Sequence, residues 1–387
     1  MGEVQVWQGT DYGCQIYSLC GIYFNRNDYI FDWSMALKMN DLTKLTDLRN
    51  DCLWRIEKSE DIWYAVDRNG EKTAIINDET EDLCHGDVIE LTQKGKVIRL
   101  HDGSSSSALV YVTNQCNSNC IMCPDSVKAR TRPNHITSEY LMEYISLLPS
   151  DLSHVDITGG EPTLLKYQLL PLIQRMTEQA EEAEVLMLSN GRSFADCKYA
   201  EKFSAFSNKK FKIEIPVHSA EPGKHDLIAG CPGSFAQTMA GIHHLLETGA
   251  EVGIRIVVSR LNYQELNSII QFIHQEFPAV RYINIMGMEV LENAWKNREL
   301  VWIEMDELKF YLQSALEESF RCGIEPGLYN FPLCLFDRKY WYCYKNSISD
   351  YKIRYFDQCE KCGEKLKCGG FFFSTYHYTK YKVRVLG

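Results

Sequence analysis

The run Ala108–Asp125, ALVYVTNQCNSNCIMCPD, sets a short apolar stretch directly against three cysteines. Its first part reads as a buried strand, being almost continuously apolar and rich in β-branched and aromatic residues. Its second part places Cys116, Cys120 and Cys123 in the spacing Cys-x3-Cys-x2-Cys. A closed zinc site needs four ligands, yet no Cys or His follows nearby; Pro124 and Asp125 come at once. Three thiolates on a cluster of four irons leave one iron open, and a catalytic metal keeps such an open position. The end of this strand is therefore a candidate reactive centre whose last coordination position is reserved for a ligand other than a side chain.

Outward from this run, strands alternate with helices. The strand candidates are ALVYVT, HVDIT, EVLMLS, FKIEIPV, VGIRIVVS and YINIMG, separated by amphipathic segments such as LLPLIQRMTEQAEEA and YQELNSIIQFIHQEF. Apolar strands alternating with helices predict a parallel sheet covered on both faces, and six such units predict an α/β fold of the partial (β/α)6 barrel type. In that architecture function sits at the C-terminal ends of the strands. The barrel is expected over residues 105–298. A small β-rich domain over 1–104 precedes it, with the hairpin GDVIELTQKGKVIRLHDG and the linker DGSSSS. A helix and a cysteine-rich segment follow over 299–387.

Composition narrows the function. Forty-one basic against 52 acidic residues leave a net charge of −11, which argues against a nucleic-acid partner held by its phosphates. The opening MGEVQVWQGTDYG carries no secretory signature and no apolar run is long enough to span a bilayer, so a cytoplasmic protein with no membrane partner is expected. In that compartment 15 cysteines point to metal ligation or catalysis rather than disulfides. Cys14, Cys20, Cys52, Cys84, Cys197, Cys231 and Cys322 stand alone and read as small buried hydrophobes; the spacing in YGCQIYSLC fits no common metal site.

Two further motifs carry chemistry. HVDITGGEPTLL ends the second barrel strand with Gly159, Gly160 and Glu161. The glycines allow backbone to approach a ligand closely, Glu161 offers a carboxylate to a cationic amine, and Pro162 holds it extended. In the tail, Cys359-x2-Cys362-x5-Cys368 precedes GGFFFS, with Cys334 upstream in FPLC and Cys343 in WYCYK as the alternative fourth ligand. Read alone, this set suits structural zinc and iron–sulfur about equally. His243 and His244 read as a helix face, whereas His218 and the pair His225-Asp226 follow the fourth strand and are candidates to face a substrate.

Taken together, these motifs resemble the radical S-adenosylmethionine (SAM) superfamily. The resemblance implies a [4Fe-4S] cluster on Cys116, Cys120 and Cys123, with SAM on the fourth iron. It implies SAM contacts at Met122, Gly159, Gly160, Glu161, Ser189, Asn190 and Met286, with Gly287 beside the last. Met122 departs from the family, which usually has an aromatic residue there. The segments IPVHSAEPGKHDLIAGCPGSF, IMGMEVLENAWKN and FPLC…SISDYK…CEKC…CGGFF are similar to the HxsC type of radical SAM maturase, of the His-Xaa-Ser peptide system. That similarity implies an auxiliary [4Fe-4S] cluster on Cys334, Cys359, Cys362 and Cys368. It also implies a peptide or small protein substrate, a reductant such as flavodoxin or ferredoxin, and a second radical SAM maturase as a possible companion. Two other readings stay open: a radical SAM enzyme acting on a small molecule or tRNA, and a zinc-binding scaffold with no activity.

Overall fold

The computed structural model describes residues 31–32, 52–59, 62–75, 84–91, 96–207, 210–348 and 352–387. Cys14 and Cys20, with the motif YGCQIYSLC, lie outside the described residues. The chain divides into two compact units, one formed by residues 1–105 with 146–149 and the other by 106–145 with 150–387.

The first unit contains an antiparallel sheet. Its strands are β1 (Phe31–Asp32), β2 (Cys52–Ser59), β3 (Ile62–Val66), β4 (Lys72–Ile75), β5 (Val88–Leu91) and β6 (Lys96–His101), in the order β1-β6-β5-β2-β3-β4. The predicted hairpin is present as the β5–β6 pair, with Leu91 opposite Val97. The sheet buries Leu53, Ile56, Val88 and Ile98.

The second unit is built on eight parallel strands in sequence order. They are β7 (Ser107–Tyr111), β8 (His154–Thr158), β9 (Glu184–Leu188), β10 (Phe211–Pro216), β11 (Glu251–Val257), β12 (Tyr282–Met286), β13 (Glu325–Tyr329) and β14 (Tyr344–Lys345). The first six coincide with the strands expected from the sequence. The last two extend the sheet beyond that expectation. Pro326 and Gly327 hide β13 from a propensity reading, yet Gly327 is needed there, because a Cβ would sit 2.5 Å from Asn284 Oδ1 on β12.

Helices α1 (Val127–Thr131), α2 (Ser138–Leu147), α3 (Leu169–Gln179), α4 (Pro222–Ala229), α5 (Ser234–Glu247), α6 (Leu266–Glu276), α7 (Glu292–Lys296) and α8 (Met305–Arg321) connect or flank these strands. α3 buries Leu169, Leu172, Ile173 and Met176, and α6 buries Leu266, Ile269, Ile270 and Ile273. Both follow the i, i+3, i+4, i+7 spacing that seats one helix face on a sheet. A third short sheet in the tail pairs β15 (Ile353–Arg354) with β16 (Phe371–Phe372).

One expectation needs correction. The strands are not apolar on both faces. In β8 and β9 burial alternates, so Val155, Ile157, Val185 and Met187 are buried while His154, Asp156, Glu184 and Leu186 line an interior cavity. An open partial barrel encloses too much space for side chains to fill as an apolar core, and polar residues line what is left.

Candidate functional site

The cysteine loop leaves β7 at its C-terminal end and is held from several sides. On one side α4 presses against it: Asn119 N–H donates to Ala229 O and Ile121 N–H to Ile228 O, both at 3.0 Å. Gly230 ends α4 at φ +59°, and a Cβ there would lie 2.0 Å from Asn119 O. On another side α7 and its C-cap residue supply two asparagines one turn apart. Asn293 Nδ2 donates to Cys120 O at 3.3 Å, and Asn297 Nδ2 to Ile121 O at 2.9 Å. Arg130, itself 5 % exposed, donates to Ser118 O at 2.8 Å and to Asn119 Oδ1 at 2.9 Å. Arg192 donates to Asn117 O, and to Ser118 Oγ at 3.0 Å. None of Arg130, Arg192, Gly230, Asn293 and Asn297 was singled out from the sequence. Only the Asn-x3-Asn spacing in ENAWKN was a usable signal, since it puts both amides on one helix face.

This enclosure decides the electrostatics. Desolvation pushes the pKa of all three thiols up, that of Cys123 to about 11, and the Arg130 charge opposes it at each. Ser118 N–H donates to Cys116 Sγ at 3.4 Å. Three sulfurs beside a buried guanidinium suit a thiolate-bound metal centre, because binding replaces the protons and the cation offsets the charge. Among the described residues, the trio Cys84, Asp87 and Asp102 has its ligand atoms within 4.8 Å of one another, and the cysteine groups do not form such a trio. In the trio itself, Arg99 Nε lies 3.1 Å from Asp87 and supplies the positive charge.

The ends of β8 and β9 meet this loop. Gly160 N–H donates to Thr113 O at 2.7 Å and Glu161 N–H to Gln115 O at 2.8 Å. A Cβ on Gly159 or Gly160 would sit 2.3 Å from Thr113 O or Gln115 O respectively. The two glycines therefore admit the backbone of the cysteine loop itself, where the sequence suggested a ligand. Glu161 is 1 % exposed. Its carboxylate accepts from Thr163 N–H at 3.1 Å, Thr163 Oγ1 at 2.6 Å, Ser189 Oγ at 2.7 Å and Asn190 N–H at 2.6 Å. In this arrangement both oxygens are committed to the chain, and Glu161 ties β8 to β9. Asn190 continues the link through Nδ2 to Asn117 Oδ1 at 2.6 Å. Met122 is buried, and Met286 lines the cavity.

That cavity, about 550 Å³, lies against the concave face of the sheet. Ligand pockets typically hold ~300–1,000 Å³. Low in it Lys212 pairs with Glu184 at 2.6 Å and Glu251 at 3.2 Å. Midway, Arg255 pairs with the buried Glu214 at 2.8 Å, and Asn284 donates to the other oxygen of that carboxylate. At the C-terminal ends Lys352 meets Glu289 at 3.2 Å, with Phe372 beside it. Lys352 and Phe372 come from the tail, which thereby forms part of the same wall.

His218 and His225 do not reach outward: they are 3 % and 2 % exposed, and His218 N–H donates to His225 Nδ1 at 3.3 Å. Asp226 caps α5 through Ser234 Oγ at 2.9 Å and Phe235 N–H at 2.7 Å. These three hold the fold. His244 Nδ1 likewise lies 2.8 Å from Phe194 O, in keeping with a helix-face role. The isolated cysteines also depart from expectation, for Cys197 is exposed and Cys84, Cys231 and Cys322 are part-exposed. Their flanking residues place them in turns and at helix ends rather than in the sheet core.

In the tail, Cys334, Cys359, Cys362 and Cys368 all line one cavity. Cys343 does not; it is buried elsewhere, and burial pushes its thiol up to about 11. Leu333 N–H and Gly370 N–H donate to Cys368 Sγ at 3.3 and 3.4 Å, and Leu386 N–H donates to Cys362 Sγ at 3.4 Å. Backbone donors aimed at sulfur suit iron–sulfur ligands.

Residues 110–273 match the family model of the Radical SAM superfamily. The superfamily's cofactors, a [4Fe-4S] cluster and SAM, fit the residues present. The AdoMet-dependent heme synthase of Nitratidesulfovibrio vulgaris is 28 % identical over 173 residues, covering 44 % of this chain and 46 % of the relative. The GTP 3′,8-cyclase of Sulfurimonas denitrificans is 24 % identical over 212 residues, covering 54 % and 63 %. The chain thus spans about half the length of the curated relatives it matches. Among solved structures, Streptococcus suis SuiB bound to precursor peptide SuiA aligns with a TM-score of 0.48 and 12 % identity, over 58 % of this chain and 48 % of that one. Native anSMEcpe with bound AdoMet aligns at 0.45 and 15 % identity, over 57 % and 63 %. Among the described residues no helix is long and apolar enough to cross a membrane.

Proposed function

We propose that this chain is a radical SAM enzyme that modifies a peptide or small protein after translation. Cys116, Cys120 and Cys123 hold the first [4Fe-4S] cluster, and Arg130 and Arg192 keep its loop in place. Gly159, Gly160, Ser189, Asn190 and Met286 frame the SAM site, with Glu161 as the residue that positions β8 against β9. Cluster and SAM, when bound, would supply for one added electron radical chemistry directed at a substrate C–H bond. A small cytoplasmic electron carrier such as flavodoxin or ferredoxin provides that electron. The chain's own work is to orient SAM and substrate at the strand ends and to exclude water.

One observation carries the reading: the cysteine-rich tail, whose motifs are similar to the HxsC type of maturase, contributes Lys352 and Phe372 to the wall of the cavity that Met286 also lines. Cys334, Cys359, Cys362 and Cys368 hold the auxiliary cluster. Small-molecule chemistry is the competing reading, and the names of the curated relatives favour it. Co-expression with candidate short peptides, followed by mass spectrometry, separates the two. A mass change in a peptide that depends on Cys116, Cys120 and Cys123 supports the proposal. An enzyme that cleaves SAM productively with a small molecule and leaves every peptide unchanged refutes it.

A further inference from the structure

We infer that the segment Thr379–Leu386 sets the redox poise of the tail centre, raising its potential; this rests on the reading that the four tail cysteines bind iron and sulfide. The segment crosses the tail cavity, where Val383, Arg384 and Leu386 form part of the wall. Tyr381 is 6 % exposed, and its hydroxyl lies 3.6 Å from Cys334 Sγ. Leu386 N–H reaches Cys362 Sγ at 3.4 Å. The Arg384 guanidinium grips the Cys334 carbonyl, with Nε at 3.0 Å. The segment is itself pinned at both ends. Thr379 Oγ1 and Lys380 N–H each donate to Glu304 at 3.1 Å, and Leu386 O accepts from Gly363 N–H at 2.8 Å.

The physical consequence follows from charge. A cysteine bound to iron is a thiolate, so the Tyr381 hydroxyl beside it donates. Reduction adds an electron to a centre that already carries thiolate charge. Donors to sulfur and a nearby cation stabilise the reduced form more than the oxidised one, and so raise the potential. Donors to the tail sulfurs include Leu333, Gly370, Tyr381 and Leu386, and the last two belong to this segment.

The test uses the full chain with Cys116, Cys120 and Cys123 all changed to Ala, so that only the tail centre can bind iron. Iron and zinc are counted first, and the midpoint potential is then titrated with dithionite under electron paramagnetic resonance. In that background Tyr381→Phe should shift the reduction equilibrium about tenfold against the reduced form, the worth of a hydrogen bond to a charged group, or 59 mV for one electron. Arg384→Gln should shift it in the same direction. Should Tyr381→Phe fail to retain iron, Arg384→Gln decides the question. Potentials equal to the parent's, or raised, with iron retained, overturn the inference. Zinc in place of iron in the parent overturns instead the iron–sulfur reading of the tail, and metal analysis reveals that before any potential is measured.

Discussion

At the scale of single residues, Cys120 and Glu161 separate ligation from scaffolding. The Cys120 thiol is raised by desolvation and then by its neighbours Cys123 and Cys116, so its value to the protein lies in what binds it. Cys120→Ala is expected to leave the unfolding temperature of the metal-free protein within a few degrees of wild type and to abolish both iron retention at the first site and SAM cleavage. Iron analysis and product chromatography check this; a variant that still cleaves SAM fully under dithionite removes Cys120 from the centre. Glu161 behaves differently, because its loss leaves buried donors of Thr163, Ser189 and Asn190 without an acceptor. Glu161→Ala should lower stability by about 2–4 kcal/mol and weaken SAM binding roughly ten- to a hundredfold while most of the iron stays. Denaturant titration and equilibrium binding measure the two. Wild-type values in both would show that the carboxylate joins nothing of consequence.

At the scale of elements, the cysteine loop is shaped by the helices on either side of it. α4 can approach only because Gly230 has no side chain and occupies the left-handed region at φ +59°. Gly230→Ala adds both backbone strain, of about 1–2 kcal/mol, and a collision with Asn119 O. The expected outcome is loss of most of the iron at the first site with the sheet still folded, read by metal analysis and circular dichroism. Gly223→Ala in the same helix is the matched control, since nothing lies within 4 Å of its added carbon. Equal iron in the two variants would mean that α4 does not shape the loop.

At the scale of the whole molecule, two cysteine groups in one compact unit imply two separate centres with different coordination. The wild type should bind about eight irons and the Cys116/Cys120/Cys123 triple variant about four, as two four-iron clusters require. On the proposed ligand set of Cys334, Cys359, Cys362 and Cys368 the surviving centre would have no open iron, so its spectrum should not respond to SAM. A spectral shift on adding SAM to the triple variant would contradict a closed tail site.

Much of this was legible in the chain itself. Strands β7–β12 declare themselves through local composition, and Cys116, Cys120 and Cys123 through spacing on one loop, because both are properties of short contiguous segments. So is the four-three periodicity that seats α3 and α6 on the sheet. What the sequence alone determined is therefore the alternation of strand and helix and the presence of thiols at a strand end. Only the tertiary structure decided that β13 and β14 widen the sheet, since Pro326 and Gly327 give no strand signal until Asn284 stands beside them. It decided that Asp156, Glu184 and Lys212 face a cavity, because a one-residue change of face is invisible in an almost continuous apolar run. It also gathered Cys334, already favoured by the family resemblance, into one cavity with Cys359, Cys362 and Cys368 and left Cys343 outside it. The physical reason is common to all three. Each depends on which groups meet across long stretches of chain, and such meetings are settled by packing and charge in three dimensions rather than by local pattern.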